Sequence, residues 1–258
     1  MHPFEGDVVE TPLPSAPLVK ALCQVRFPRM PEPRDAANAA LRSLRLIYPV
    51  IREKKETVVA LSPEGPVAMP GESTLWTASD ISNSWQVTLS DQFFALETSK
   101  YISRSDFVDR LRAVIDIVVE NFEVPIFDRI GVRYINRIVD SSSLAELTEL
   151  VKPVALGALV LPQGPAKVVH SISDSVFVDD EASIHARWGW LPANAGIDPT
   201  IDPPDTEHWL LDIDVSSRTE GKFDPDVMSK SAEIFASKAH RLFSWLITER
   251  YVAKYGVK

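Results

Sequence analysis

The sequence predicts an α+β fold of two fused halves, each running strand, helix, four strands, helix, with antiparallel sheets each covered by a long helix. Three observations carry this reading. An alternating strand motif occurs twice, as Gln24-Val-Arg-Phe27 and as Gly131-Val-Arg-Tyr134. The helix after each motif ends at a proline, Pro49 in one half and Pro153 in the other. Each half then closes with a helix of clear 3.6-residue period. The halves span residues 18–123 and 124–258, behind an extended arm of residues 1–17, and are expected to form one compact unit. Packing helices on one face of each sheet buries the apolar side of both elements.

The elements follow in order. The arm carries Pro3, Pro12, Pro14 and Pro17 and has no periodicity. Leu18 to Phe27 reads as a strand, with Val19, Ala21, Cys23, Val25 and Phe27 on one face and Lys20, Gln24 and Arg26 on the other. A helix is predicted from about Arg34, with Pro33 in its first turn and an apolar stripe of Ala37, Leu41, Leu44 and Tyr48. Strands are predicted at 56–62, 73–80, 84–90 and 93–98, separated by the turn residues Pro63-Glu-Gly-Pro66, Pro70-Gly71 and Ser82-Asn-Ser84. Ser103-Arg-Ser-Asp106 opens the next helix like a capping box, and its stripe is Phe107, Leu111, Val114, Ile115, Val118 and Phe122.

The second half repeats this loosely. Residues 126–139 form a strand and Ser142 to Val151 a short helix. Strands are predicted at 154–161, 167–178, 182–190 and 207–216. Asp224-Pro225 then caps a long helix expected to reach Tyr251, with a stripe of Met228, Ala232, Phe235, Ala239, Leu242 and Leu246.

Charge and composition narrow the partners. The net charge is −9, and acidic residues exceed basic ones in both halves. That disfavours binding to duplex nucleic acid through its phosphates. No leader-like N-terminus and no membrane-length apolar run is present, so a cytoplasmic, non-membrane protein is expected. Cys23 is the one cysteine, which excludes an intramolecular disulfide and a cysteine-based metal site. It sits on an apolar strand face, as an inert buried thiol would.

The candidate functional residues lie on two strands. Arg129, Arg133 and Arg137 share one face of a strand whose other face carries Ile130, Val132, Tyr134 and Ile138. Asp212 and Asp214 share a face in Leu210-Leu-Asp-Ile-Asp-Val215. The arginine strip reads either as an anion or partner surface or as a face paired with carboxylates on a neighbouring strand. In the ligand reading, Arg129, Arg133 and Asn136 grip an anionic, phosphate-bearing small molecule while Asp212 and Asp214 hold a cation. Asp179-Asp-Glu181 reads as an acidic hairpin turn. His2, His170, His185, His208 and His240 form no zinc signature, and no Walker loop, Gly-x-Ser-x-Gly or Gly-x-Gly-x-x-Gly occurs. No metal, cofactor or catalytic residue is therefore expected. Trp76, Trp85, Trp188, Trp190 and Trp209 fall on or near strands, as core or interface residues.

The string Arg129-Ile-Gly-Val-Arg-Tyr-Ile-Asn136, with Leu211-Asp-Ile-Asp214, His240-Arg-Leu-Phe243, Pro17-Leu-Val and Tyr48-Pro49, resembles a sporadically distributed family of bacterial proteins of this length with no assigned function. The element order also resembles tandem TATA-binding-protein-like folds. The family resemblance implies no activity, cofactor or catalytic residue. Patchy distribution is common among mobile-element and defence genes, so it implies a partner-dependent role in bacterial defence or a toxin–antitoxin setting. The leading expectation is a non-catalytic module that binds another protein, with self-association as a further possibility. The alternative is the anionic-ligand domain or enzyme.

Overall fold

A computed structural model of the chain describes residue 3 and residues 11–62, 65–162, 164–198 and 200–256, with backbone alone over 56–62 and 65–72. Most of the expected N-terminal arm lies outside the described residues. Within them the fold is α+β, with two strand-and-helix halves and a long helix against each half of the sheet.

The first half runs β1 (Leu18–Arg26), α1 (Pro33–Leu44), β2 (Val50–Ser62), β3 (Gly65–Ser79), β4 (Trp85–Leu89), β5 (Phe93–Thr98) and α2 (Arg104–Asn121). The second runs β6 (Ile126–Phe127), β7 (Arg129–Ile138), α3 (Ser141–Ala145), α4 (Leu147–Leu150), β8 (Ser171–Val178), β9 (Ala182–Leu191), β10 (His208–Ser217), β11 (Gly221–Lys222), α5 (Pro225–Leu246) and α6 (Glu249–Tyr255). The two sheets join edge to edge. Their strands lie in the order β2-β3-β4-β5-β1-β7-β10-β9-β8, every neighbour antiparallel. Within this sheet the first strand of each half pairs with that half's last, β1 with β5 and β7 with β10, and β1 meets β7 at the centre; β6 and β11 pair in a separate two-stranded sheet.

The helices collect on one face. Helix α2 packs against α1 and α5, and α5 crosses β7 and β10. The core between them takes Cys23, Val25, Phe94, Ile115, Ile130, Trp209 and Tyr251, all essentially without solvent contact. The caps are those the sequence signals. Ser103 accepts the Asp106 amide at the start of α2, and Asp224 accepts the amides of Asp226 and Val227 ahead of Pro225. No helix among the described residues is long and apolar enough to cross a membrane.

Five details depart from the sequence reading. Residues 154–161 are two 3₁₀ turns, Pro153–Ala155 and Gly157–Val160, rather than a strand. Their carbonyls are drawn inward: Val154 accepts the Trp188 indole N–H at 2.8 Å and Ala155 that of Trp209 at 2.9 Å. The second half therefore has three strands after its short helices where four were expected. Pro70-Gly71 lies within β3, beside a register shift between Lys55 and Thr57 of β2, and makes no turn. The helix expected over 142–151 divides into α3 and α4. The last helix stops at Leu246, because Ile247 turns out to bridge Val151 and Thr248 caps a separate α6. Val19 also leaves the core face: a register shift between Leu18 and Lys20 places it with Ile135 on the opposite side.

Candidate functional site

The arginine and aspartate motifs meet on the sheet face away from α5. Strands β7 and β10 pair in a register that sets Asp214 opposite Arg133 and Asp212 opposite Ile135. Arg133 reaches diagonally to Asp212 with two hydrogen bonds, Nε to Oδ1 at 2.7 Å and Nη2 to Oδ2 at 2.8 Å. Arg187 of β9 donates to the same carboxylate at 2.6 Å. Arg129 folds along its own strand over Gly131 and donates to Asp214 at 2.8 Å. A Cβ at residue 131 would stand 2.7 Å from the Arg129 guanidinium, so glycine leaves the room this path needs.

A segment between β9 and β10 completes the cluster. Asp198 accepts from Arg133 at 2.5 Å, the Asp202 carbonyl accepts from Arg137 at 2.8 Å, and the Ile197 carbonyl accepts from Arg187. Ile197 and Ile201 of this segment cover Ile135, Leu191 and Leu210, a small second core on the outer face. The Asp212 side chain is left only 2% exposed. Burial would raise the Asp198 carboxyl, but the Thr200 hydroxyl and amide and then Arg133 outweigh it and hold it below the usual aspartate value. Burial works against the charge on Arg133 too, and Asp212 and Asp198 more than offset it. Arg129, Arg133 and Arg187 thus face Asp214, Asp212 and Asp198, and each of these guanidiniums already holds a carboxylate. An incoming anion must displace one.

Asn136 stands apart from the other five residues. Strand alternation puts it on the helix face with Tyr134 and Ile138, so the geometry separates it from Arg129 and Arg133. It lines a cavity of about 560 Å³ between β7, β10, α5, the start of α2 and residues 11–16. That size lies within the usual range for small-molecule sites. Leu18, Ile213, Ala239 and Phe243 supply apolar wall, and the Tyr101 and Tyr134 rings meet edge to face at 5.6 Å. The Asn136 residue is 4% exposed and lines this cavity. The signal for this cavity in the sequence is weak. Sequence proximity groups Asn136 with the arginines, and its cavity neighbours Tyr101 and His240 sit in segments far apart in the chain.

The two edges of the sheet differ. Edge β2 carries Arg52, Glu53, Lys54 and Lys55, charges of the kind that keep an edge from pairing. Edge β8 ends Ser175-Val-Phe-Val178, and Val176 and Val178 are 61% and 58% exposed. Among the described residues no strand pairs with its outer side.

The remaining candidates are structural. Asp179 makes the turn between β8 and β9, accepting the amides of Glu181 and Ala182 and the Lys238 ammonium. Cys23 is fully buried, and burial pushes its thiol up to about 12. Trp76, Trp85, Trp188 and Trp209 fill the core. Among the described residues no three His, Cys, Asp or Glu side chains come together to hold a metal ion. Compared with family models, curated proteins and solved structures, the chain matches none.

Proposed function

We propose that the protein is a non-catalytic binding module of the cytoplasm whose partner is another protein, taken as an added strand along β8. The observation that supports this is the contrast between the edges. A free strand end presents backbone donors and acceptors, and an unguarded one adds a strand readily. At β8 the exposed alternate side chains are Asp174, Val176 and Val178, whereas β2 carries a run of four charges at Arg52–Lys55. Strand addition supplies main-chain hydrogen bonds, and alternate side chains supply selectivity. The partner segment is accordingly an extended one with apolar residues at alternate positions.

The test compares two baits from the native host: the wild-type chain and Val176→Lys/Val178→Lys. Both changes are on exposed positions, so the variant should melt with the wild type. A protein that is enriched on the wild type and lost from the variant supports the reading. A partner held equally by both baits, or no enrichment over a control bait, counts against it. Sedimentation of the purified chain separates a foreign partner from a second copy.

A further inference from the structure

We infer that the outer face of β7, β10 and β9 is a recognition surface for a peptide bearing two aliphatic–acidic pairs four residues apart, and that the segment between β9 and β10 occupies it as an internal version of that peptide. This stands on different observations from the β8 proposal and does not depend on it.

The segment carries a repeat. Ile197-Asp-Pro-Thr-Ile201-Asp-Pro203 holds the triplet Ile-Asp-Pro twice, four residues apart. Its receptors on β7 have the same spacing. The Asp198 carboxylate accepts from Arg133, and the Asp202 carbonyl accepts from Arg137. Both contacts span 65 residues of chain, so the two triplets meet the strand in one register. Ile135 stands between the two arginines on the same strand face. Ile197 and Ile201 pack there, against the cluster of Ile135, Leu191 and Leu210. Arg187 of β9 adds a hydrogen bond to the Ile197 carbonyl. The sheet thus offers an apolar strip flanked by guanidiniums, and the segment answers with aliphatic side chains beside acidic residues.

The fit is incomplete at the second triplet. Asp202 gives Arg137 a main-chain carbonyl, while the residue itself is exposed. The Arg137 Nε is buried with no hydrogen-bond partner among the described residues, and burial works against the charge of the guanidinium. A buried donor left bare is costly. A peptide that delivers a carboxylate to Arg137 satisfies it better than the internal segment does.

The segment is also built to leave. Among its described residues it has no helix or strand. The Asn194 amide donates to the Pro204 carbonyl at 2.8 Å, so both triplets lie on a loop closed at its neck. Surface loops of this kind open at low free energy while the sheet stays folded. Tethering gives the segment an effective concentration on the order of millimolar. A free peptide of the same sequence should therefore bind the wild type weakly.

The experiment follows fluorescence anisotropy of a labelled peptide, Gly-Ile-Asp-Pro-Thr-Ile-Asp-Pro, against the purified full chain. The control peptide has both aspartates replaced by asparagine. Asp198→Ala loosens the segment and leaves the receptors on the strands intact. Ile201→Ser loosens it at the second triplet and serves if Asp198→Ala does not fold. Either variant should bind the acidic peptide roughly tenfold more tightly than the wild type, because apparent affinity scales with the fraction of open sites. The asparagine peptide should stay weak, and adding Arg137→Gln to the loosened chain should reverse the gain. The inference is overturned if a folded, loosened variant binds the acidic peptide no more tightly than the wild type. It is equally overturned if the asparagine peptide binds as well, or if Arg137→Gln leaves binding unchanged.

Discussion

Arg133 and Asp212 are joined by two parallel hydrogen bonds, 2.7 and 2.8 Å long, between neighbouring strands on the sheet face away from α5. The pair ties β7 to β10, and through Arg187 it extends to β9. It lies beneath the segment that carries Asp198, so it is largely withdrawn from water. Removing one partner of a buried pair strands the other charge and costs about 3–5 kcal/mol. Asp212→Ala should lose stability on that scale, because Arg133 and Arg187 both lose their carboxylate. Arg133→Ala should lose less, since Arg187 still holds Asp212. The double variant should lose less than the sum, the mark of coupled neighbours. Urea unfolding of the three variants checks this.

Gly189 lies in β9 with φ at +148°, a conformation that side chains rarely adopt. A Cβ there would stand 1.9 Å from the Ser171 carbonyl oxygen of β8. Gly189→Ala should therefore cost at least about 1–3 kcal/mol from backbone strain, before the clash is counted. The strand displaced is β8, so limited proteolysis should cut between residues 161 and 178 sooner in the variant.

The caps on the final helices give smaller effects. Asp224→Ala leaves the Asp226 and Val227 amides at the head of α5 without their acceptor and should lower stability modestly. Thr248→Ala should cost at least as much. Its hydroxyl accepts from Tyr251 while donating to the Glu149 carbonyl, so the same atom caps α6 and ties it to α4. Denaturant midpoints of the two variants give the comparison.

Acid should weaken the fold in a defined direction. The carboxyls of Asp198 and Asp179 both sit below their ordinary value, because hydrogen bonds and a cation outweigh the effect of burial. A group whose folded pKa is depressed contributes fully above the unfolded value of about 3.9 and loses that contribution as pH falls through the folded value. Stability should thus hold near neutrality and fall from about pH 5 downward. Asp198→Asn should begin less stable and show a shallower fall over the same range, as read by urea melts at stepped pH.

The local grammar of the fold was legible in the sequence. Pro33, Ser103 and Asp224-Pro225 mark helix starts where the structure has them, and the stripes of α2 and α5 face the core. Alternation located β1, β7 and β10 and put Arg133 on one strand face with Arg129 and Arg137, and Asp212 on another with Asp214, with their pairing left open. What local pattern misses is tertiary demand. Residues 154–161 look like an apolar strand, yet the indole N–H groups of Trp188 and Trp209 need carbonyls there, and the segment turns to provide them. Asp198 sits in a stretch with no periodicity, and nothing nearby in the chain signals that it meets Arg133, 65 residues earlier. Asn136 was grouped with the arginines by sequence proximity, although an offset of three residues along a strand sends it to the opposite face. The β8 edge gave no signal at all, because being an edge is a property of the whole sheet.

The proposal that a partner adds a strand at β8 is tested most directly by hydrogen exchange on the complex. The chain is exchanged alone and with the captured partner, and uptake is followed over peptides covering residues 171–178. An added strand takes up the outward-facing amides of β8, so uptake there should slow, with β2 unchanged. Unaltered exchange along β8, with protection appearing on the helices or at β2, would contradict the proposal.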